Sequence, residues 1–212
     1  MANVTSVKSK FFGPVDLVDA DGISTSASIS GAAALTINGT LASGGSYTSG
    51  DNIGQIITIT SAGDDSGITF TVVGTNAVGD ALTEVVTGAD TTVASSSGYF
   101  NTVTSITTSA ATAGAVTAGV LGSSTAGEMG TGTVFAGRTR IRGLQGLSGA
   151  SAGNLLFKNT SVTGTTLLTV PTQAAAELIE PYIPDNGILF KAGAYISLPS
   201  GVVDTVTVFY DG

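Results

Sequence analysis

The feature that most restricts this chain is a succession of short runs rich in Val, Ile and Thr, each closed by Gly, Asp or Asn. β-Branched side chains pack well on a pleated sheet and lose rotamer freedom in a helix. Turn residues at such short intervals leave room for strands and little else. Residues 56–62 alternate, placing Ile57 and Ile59 opposite Thr58 and Thr60. Gly63-Asp64-Asp65-Ser66-Gly67 reads as a turn, and 68–73 then puts Ile68, Phe70 and Val72 on one face. Ala77-Val78-Gly79-Asp80 turns again before 81–87. Strands at 99–108 and 115–121 complete what reads as a meander of about five strands. Two details strain the pattern. Glu84 shares a face with Leu82 and Val86, which places 81–87 at an edge or an interface. Val103 and Ile106 fall on opposite faces under strict alternation, which requires a bulge.

A Gly/Ser-rich stretch, 122–132, has the composition of a linker and marks a boundary. A second strand series follows at 135–141, 154–159, 165–170, 187–190, 194–198 and 203–210. Gly143 to Gly153 reads as a long glycine-rich loop. Residues 172–179, between Pro171 and Pro181, are the one helical candidate, with an irregular crossover as the alternative. The expected fold class is all-β: two β-sandwich or barrel-like domains with a short extended N-terminal arm. The expected division is an arm at 1–20, an acidic Thr/Gly-rich β domain at 21–125 and a C-terminal β-sandwich at 133–212.

The chain has no Cys, no His and no Trp. That removes Ser-His-Asp and Cys-His nucleophiles, thiol redox chemistry and ordinary zinc sites from the expectation. The net charge of −8 argues against wrapping nucleic acid, where affinity comes from neutralising phosphates. No apolar core follows the two lysines near the start, so no secretory signal is expected, and no run is long and apolar enough to suggest a membrane helix. Charge is also uneven: between Phe11 and Gly137 there is no Lys or Arg at all.

Two constellations stand out as candidate partner-binding residues. In Arg138-Thr-Arg140-Ile-Arg142, strand alternation projects all three guanidinium groups from one face, with Phe135, Thr139 and Ile141 on the other. Such a stripe can grip carboxylates on a partner subunit, or pair within the chain with Glu177, Glu180 or Asp185. Lys8, Lys10, Phe11 and Phe12 form a basic and aromatic segment, either an extended arm anchored on a partner or a first strand on its own domain. Asp19, Asp21, Asp64 and Asp65 read as turn residues. Glu177 and Glu180 have no aromatic platform that would make them a glycosidase pair. No catalytic residue, metal site or cofactor is expected.

The phrase from Ile57 through Thr69-Phe-Thr-Val-Val-Gly-Thr-Asn76, continuing through Gly79-Asp-Ala-Leu-Thr-Glu-Val-Val-Thr-Gly88 and Tyr99 to Ile106, resembles a β-module of tailed-phage structural proteins. So do Ala136-Gly-Arg-Thr-Arg-Ile-Arg142, Ile183-Pro-Asp-Asn-Gly-Ile-Leu-Phe190, Gly193-Ala-Tyr-Ile-Ser-Leu198 and Val206-Thr-Val-Phe-Tyr210. The resemblance implies a non-enzymatic virion protein similar to capsid decoration (cement) proteins. It would be made in the host cytoplasm, form a homotrimer and bind the major capsid protein on the capsid exterior, without nucleic acid or membrane. The alternative is a tail or head-fibre protein that binds a receptor or glycan on the host surface.

Overall fold

A computed structural model describes residues 7–121, 130–199 and 201–212. Among them there is no helix, and all strand pairing is antiparallel. The first ten strands are β1 (Lys8–Phe12), β2 (Asp19–Ala27), β3 (Ala42–Ser43), β4 (Ser46–Thr48), β5 (Gly54–Ser61), β6 (Thr69–Thr75), β7 (Ala81–Thr87), β8 (Val93–Phe100), β9 (Thr102–Thr108) and β10 (Val116–Val120). The remaining eight are β11 (Gly130–Phe135), β12 (Thr139–Ser148), β13 (Gly153–Asn159), β14 (Thr166–Thr172), β15 (Leu178–Ile179), β16 (Ile188–Phe190), β17 (Ala194–Leu198) and β18 (Val203–Asp211).

The chain forms two compact units. One comprises Asp16–Ser49 and Gly54–Gly122; the other comprises Met1–Val15, Gly50–Ile53 and Ser123–Gly212. The first holds eight of the fifteen acids and none of the seven bases, so we call it the acidic unit. The second holds seven acids and all seven bases and is the mixed-charge unit. The whole net charge of the chain therefore resides in one unit.

In the acidic unit, strands run β8-β5-β10-β2 on one side and β3-β4-β9-β6-β7 on the other. Ile57 and Ile59 of β5, Val116 and Ala118 of β10, Phe70 and Val72 of β6 and Ile106 of β9 share one buried cluster. Each Val, Ile or Phe among them contributes roughly 1.5–3 kcal/mol when fully buried. The expected meander is not what forms. Only β6 and β7 pair as consecutive neighbours within it, because the Gly63–Gly67 turn carries the chain from one sheet to the other. The expected single strand at 99–108 likewise breaks at Asn101, whose N–H donates to the Thr75 carbonyl at 2.7 Å. The bulge does occur. Val73 lies opposite Ser105 and Gly74 opposite Val103, leaving Thr104 as the extra residue, so Val103 and Ile106 both reach the core. Asp19 and Asp21, expected in a turn, lie in β2.

In the mixed-charge unit, strands run β1-β18-β12-β15, with β16 also on β12, and β14-β13-β17-β11. Phe12, Ile141, Leu144, Phe157, Phe190, Ile196 and Val208 are buried there. The Phe12 ring lies over Gly132, where an added Cβ would stand 2.6 Å from it. The helical candidate at 172–179 is irregular instead, with Ala175 and Ala176 at positive φ. The expected strand at 135–141 is interrupted by a bend at Ala136–Arg138. The expected loop at 143–153 is strand as far as Ser148. Gly146 sits against Val206, where a Cβ would meet the Thr205 carbonyl oxygen at 2.5 Å, so glycine here permits pairing rather than ending it. The linker expected at 122–132 lies mostly outside the described residues.

Candidate partner-binding face

The segment expected as an arm is strand β1 from Lys8 to Phe12, paired along its length with β18. Its alternation sorts the four candidate residues. Phe12 is fully buried. Lys10, on the same face, donates from Nζ to the Thr133 carbonyl at 2.8 Å and lies 5.7 Å from the Phe12 ring centroid. Burial lowers its pKa below the ordinary lysine value. Lys8 is exposed, donates to the Gly212 carbonyl at 2.8 Å and lies 5.6 Å from the Phe135 ring centroid. Phe11 points the other way and is 40% exposed, while its carbonyl accepts from Asn52 Nδ2 at 2.9 Å. Of the four, Phe11 is the side chain most available to a partner.

The arginines divide differently. Arg138 lies in the bend before β12, is exposed, and makes no ion pair among the described residues. Arg140 and Arg142 lie in β12, with Thr139 and Ile141 buried opposite, as alternation requires. Arg140 Nη1 donates to the Asn186 carbonyl at 2.9 Å. Arg142 Nε stands 3.7 Å from Asp211 Oδ2, long for a charge-assisted hydrogen bond of about 2.7–2.9 Å. None of the three pairs with Glu177, Glu180 or Asp185 among the described residues.

Arg142 is also the residue at which β12 slips against β18. Ile141 faces Tyr210 and Gly143 faces Phe209, leaving Arg142 unmatched. The bulge resets the alternation. Leu144, which strict alternation from Arg140 would turn outward, is buried, while Gln145 and Leu147 are exposed. Bulges of this kind re-aim side chains at functional edges.

The other edge of β12 is only partly covered. β16 pairs with Thr139–Ile141, and β15 pairs with Gly146 and Leu147. Between them the chain from Glu180 to Gly187 leaves the sheet, because Pro181 and Pro184 cannot donate to a ladder. Gly187, at φ +65°, brings the chain back within reach of the Ile141 carbonyl and the Arg142 side chain. Residues 142–145 of β12 have no strand on that edge among the described residues. The gap is an open groove of about 610 Å³, lined by Arg142, Gln145, Glu180, Tyr182, Ile183 and Phe209 among others. A smaller cleft of about 240 Å³ lies beside Arg138 and Arg140.

Sequence reasoning named Arg142 and considered Glu180, but missed Tyr182, which is 86% exposed, and Leu178, which is 62% exposed. The available signal was Pro181-Tyr-Ile-Pro184: two prolines that force an aromatic residue off the sheet. Among the described residues no group of three or more acids could hold a metal ion. Comparison of the chain with protein-family models, curated proteins and solved structures gives no match.

Proposed function

We propose that this protein is a virion structural protein that decorates the outside of a phage head and stabilises it, acting as a non-enzymatic homo-oligomer on the major capsid protein. The supporting observation is that every basic residue, and the exposed aromatic side chains Phe11 and Tyr182, lie in the mixed-charge unit. The acidic unit has no Lys or Arg with which to hold a carboxylate. The mixed-charge unit has the arginines of β12, the cleft beside Arg138 and Arg140, and the exposed Tyr182, Leu178 and Phe11. Arginine and tyrosine are, with tryptophan, the residues enriched among energetic anchors of protein interfaces. Each such contact is modest, and a lattice of copies, each bound at several points, gains through effective concentration. The resemblance of the sequence phrases to tailed-phage β-modules gives the reading its setting.

The test is the copy number of this protein in purified virions relative to the major capsid protein. The expected ratio is of the same order as that of the capsid protein. A handful of copies per particle would move the protein to the tail or fibres and overturn the reading, as would its absence from the virion.

A further inference from the structure

The groove over β12 carries both signs of charge on one face. Arg142 lines it together with Glu180, and no ion pair joins the two among the described residues. Among the described residues no hydrogen bond engages either Nη group of Arg142, and its long contact to Asp211 uses Nε. An acidic partner would satisfy Arg142 and oppose Glu180. A basic partner would do the reverse. The acidic unit of another copy has only carboxylates to offer and is excluded on the same ground. A surface that brings an arginine and a glutamate to the same place is satisfied on both counts by itself, turned about a two-fold axis.

We propose that this groove is the site at which a second copy of the chain docks. Arg142 of one copy pairs with Glu180 of the partner subunit and reciprocally, and Tyr182 packs into the facing groove. This rests on the reading above that copies associate, and it gives that association a two-fold contact, which closes a dimer, in place of the homotrimer that the resemblance implies. The fold supports it in two ways. The strap between β15 and β16 leaves residues 142–145 with no strand on that edge among the described residues, and that strap holds Tyr182 out of its own core. A tyrosine buried at the centre of a contact is a common anchor, and the charged pairs fix orientation.

The test is sedimentation velocity of the full chain and of three variants, with circular dichroism to confirm folding. Wild type is expected to sediment as an assembly. Arg142→Glu and Glu180→Arg each place like charges across the two-fold contact and are expected to weaken association by ~10-fold or more. An equimolar mixture of the two variants restores opposite signs in both pairs and is expected to reassociate. Tyr182→Ser, in a side chain with almost no contacts of its own, is expected to weaken association without touching the fold. Variants that sediment like wild type would assign association to another surface and overturn the proposal. Failure of the two folded charge variants to recombine would overturn it as well. Should Arg142→Glu fail to fold, an unchanged Tyr182→Ser assembly would still refute it. A monomeric wild type would end both this proposal and the self-association reading, whereas the virion copy number bears on the decoration reading alone.

Discussion

Replacing Glu84 should expose how the acidic unit closes its open side. Glu84 sits on β7, the edge strand of its sheet, in line with Leu82 and Val86. Its carboxylate reaches the bulge in β8, where Tyr99 faces Ile56 and Ser95 faces Thr58, leaving Ser96, Ser97 and Gly98 opposite Ile57 alone. A bulge strands backbone groups that a regular ladder would have paired. Here side chains take the ladder's place. Ser96 Oγ accepts from Ile57 N at 3.0 Å and donates to the Gly98 carbonyl at 2.9 Å. Glu84 Oε1 accepts from Ser97 N at 2.6 Å, and Oε2 accepts from Gly98 N at 2.8 Å.

A hydrogen bond to a charged group contributes about 1.5–3 kcal/mol net when well shielded. Glu84 is half-buried and the Ser97 amide is close to solvent, so water replaces part of what is lost. For Glu84→Ala we expect a loss of about 1–3 kcal/mol. Glu84→Gln keeps one acceptor oxygen and turns an amide NH₂ toward the other N–H, so it should fall between wild type and alanine. The assay pairs urea unfolding by circular dichroism with amide hydrogen exchange read residue by residue. The exchange data should show Ser97 and Gly98 losing protection first. An unchanged urea midpoint for Glu84→Ala, with Ser97 and Gly98 exchanging at the wild-type rate, would refute the reasoning.

Two further outcomes follow from buried groups. Burial raises the pKa of Asp16 above its ordinary 3.8, with the hydrogen bond from Tyr47 Oη, at 2.8 Å, acting against the rise. The folded state therefore holds the proton more tightly than the unfolded state, and Asp16 costs stability as pH rises from about 3.8 through its raised value. The stability of Asp16→Asn relative to wild type should climb across that window and then level off, measured as urea midpoints at a series of pH values. A flat or falling difference would contradict it. At β1, Phe12→Ala should cost about 3–5 kcal/mol, whereas Phe11→Ala, four-tenths exposed one residue away, should cost about 1 kcal/mol or less. Equal urea midpoints for the two would show that β1 does not hold its place on β18.

Much of the fold was legible because short-range chemistry and tertiary pairing agree. The β6–β7 hairpin follows from alternation and the Ala77–Asp80 turn, and Asn76 Oδ1 closes that turn by accepting from the N–H groups of Val78 and Asp80, each at 3.0 Å. The bulge near Thr104 was legible because two core-sized residues could not share a face without it. What alternation cannot report is which sheet a strand joins. β5 and β6 are separated by one short turn and lie on opposite sides of the sandwich, and within that turn Asp65 is buried and accepts from the Ala113 N–H at 2.7 Å. Nor can it report a strand built from glycine-rich sequence, such as β12 beyond Arg142, whose partner β18 lies some sixty residues away in the chain.

The candidate site was half legible for a related reason. Arg140 and Arg142 could be read as outward-facing from spacing alone, and they are. The carboxylates named as the alternative within the chain, Glu177, Glu180 and Asp185, make no ion pair with them among the described residues. Asp211, which does approach Arg142, arrives through the β12–β18 pairing, a relation that no local pattern encodes. The same pairing places the bulge at Arg142 and buries Leu144. The prolines at 181 and 184 hold Glu180 and Tyr182 away from the strand they would otherwise cover. The two features act on opposite edges of one strand, and among the described residues they leave Arg142 with only the long Asp211 contact and Glu180 with no ion pair. A face with its charges matched in kind and unmatched in place is one that intramolecular folding has left unfinished, and a second copy of the chain can complete it.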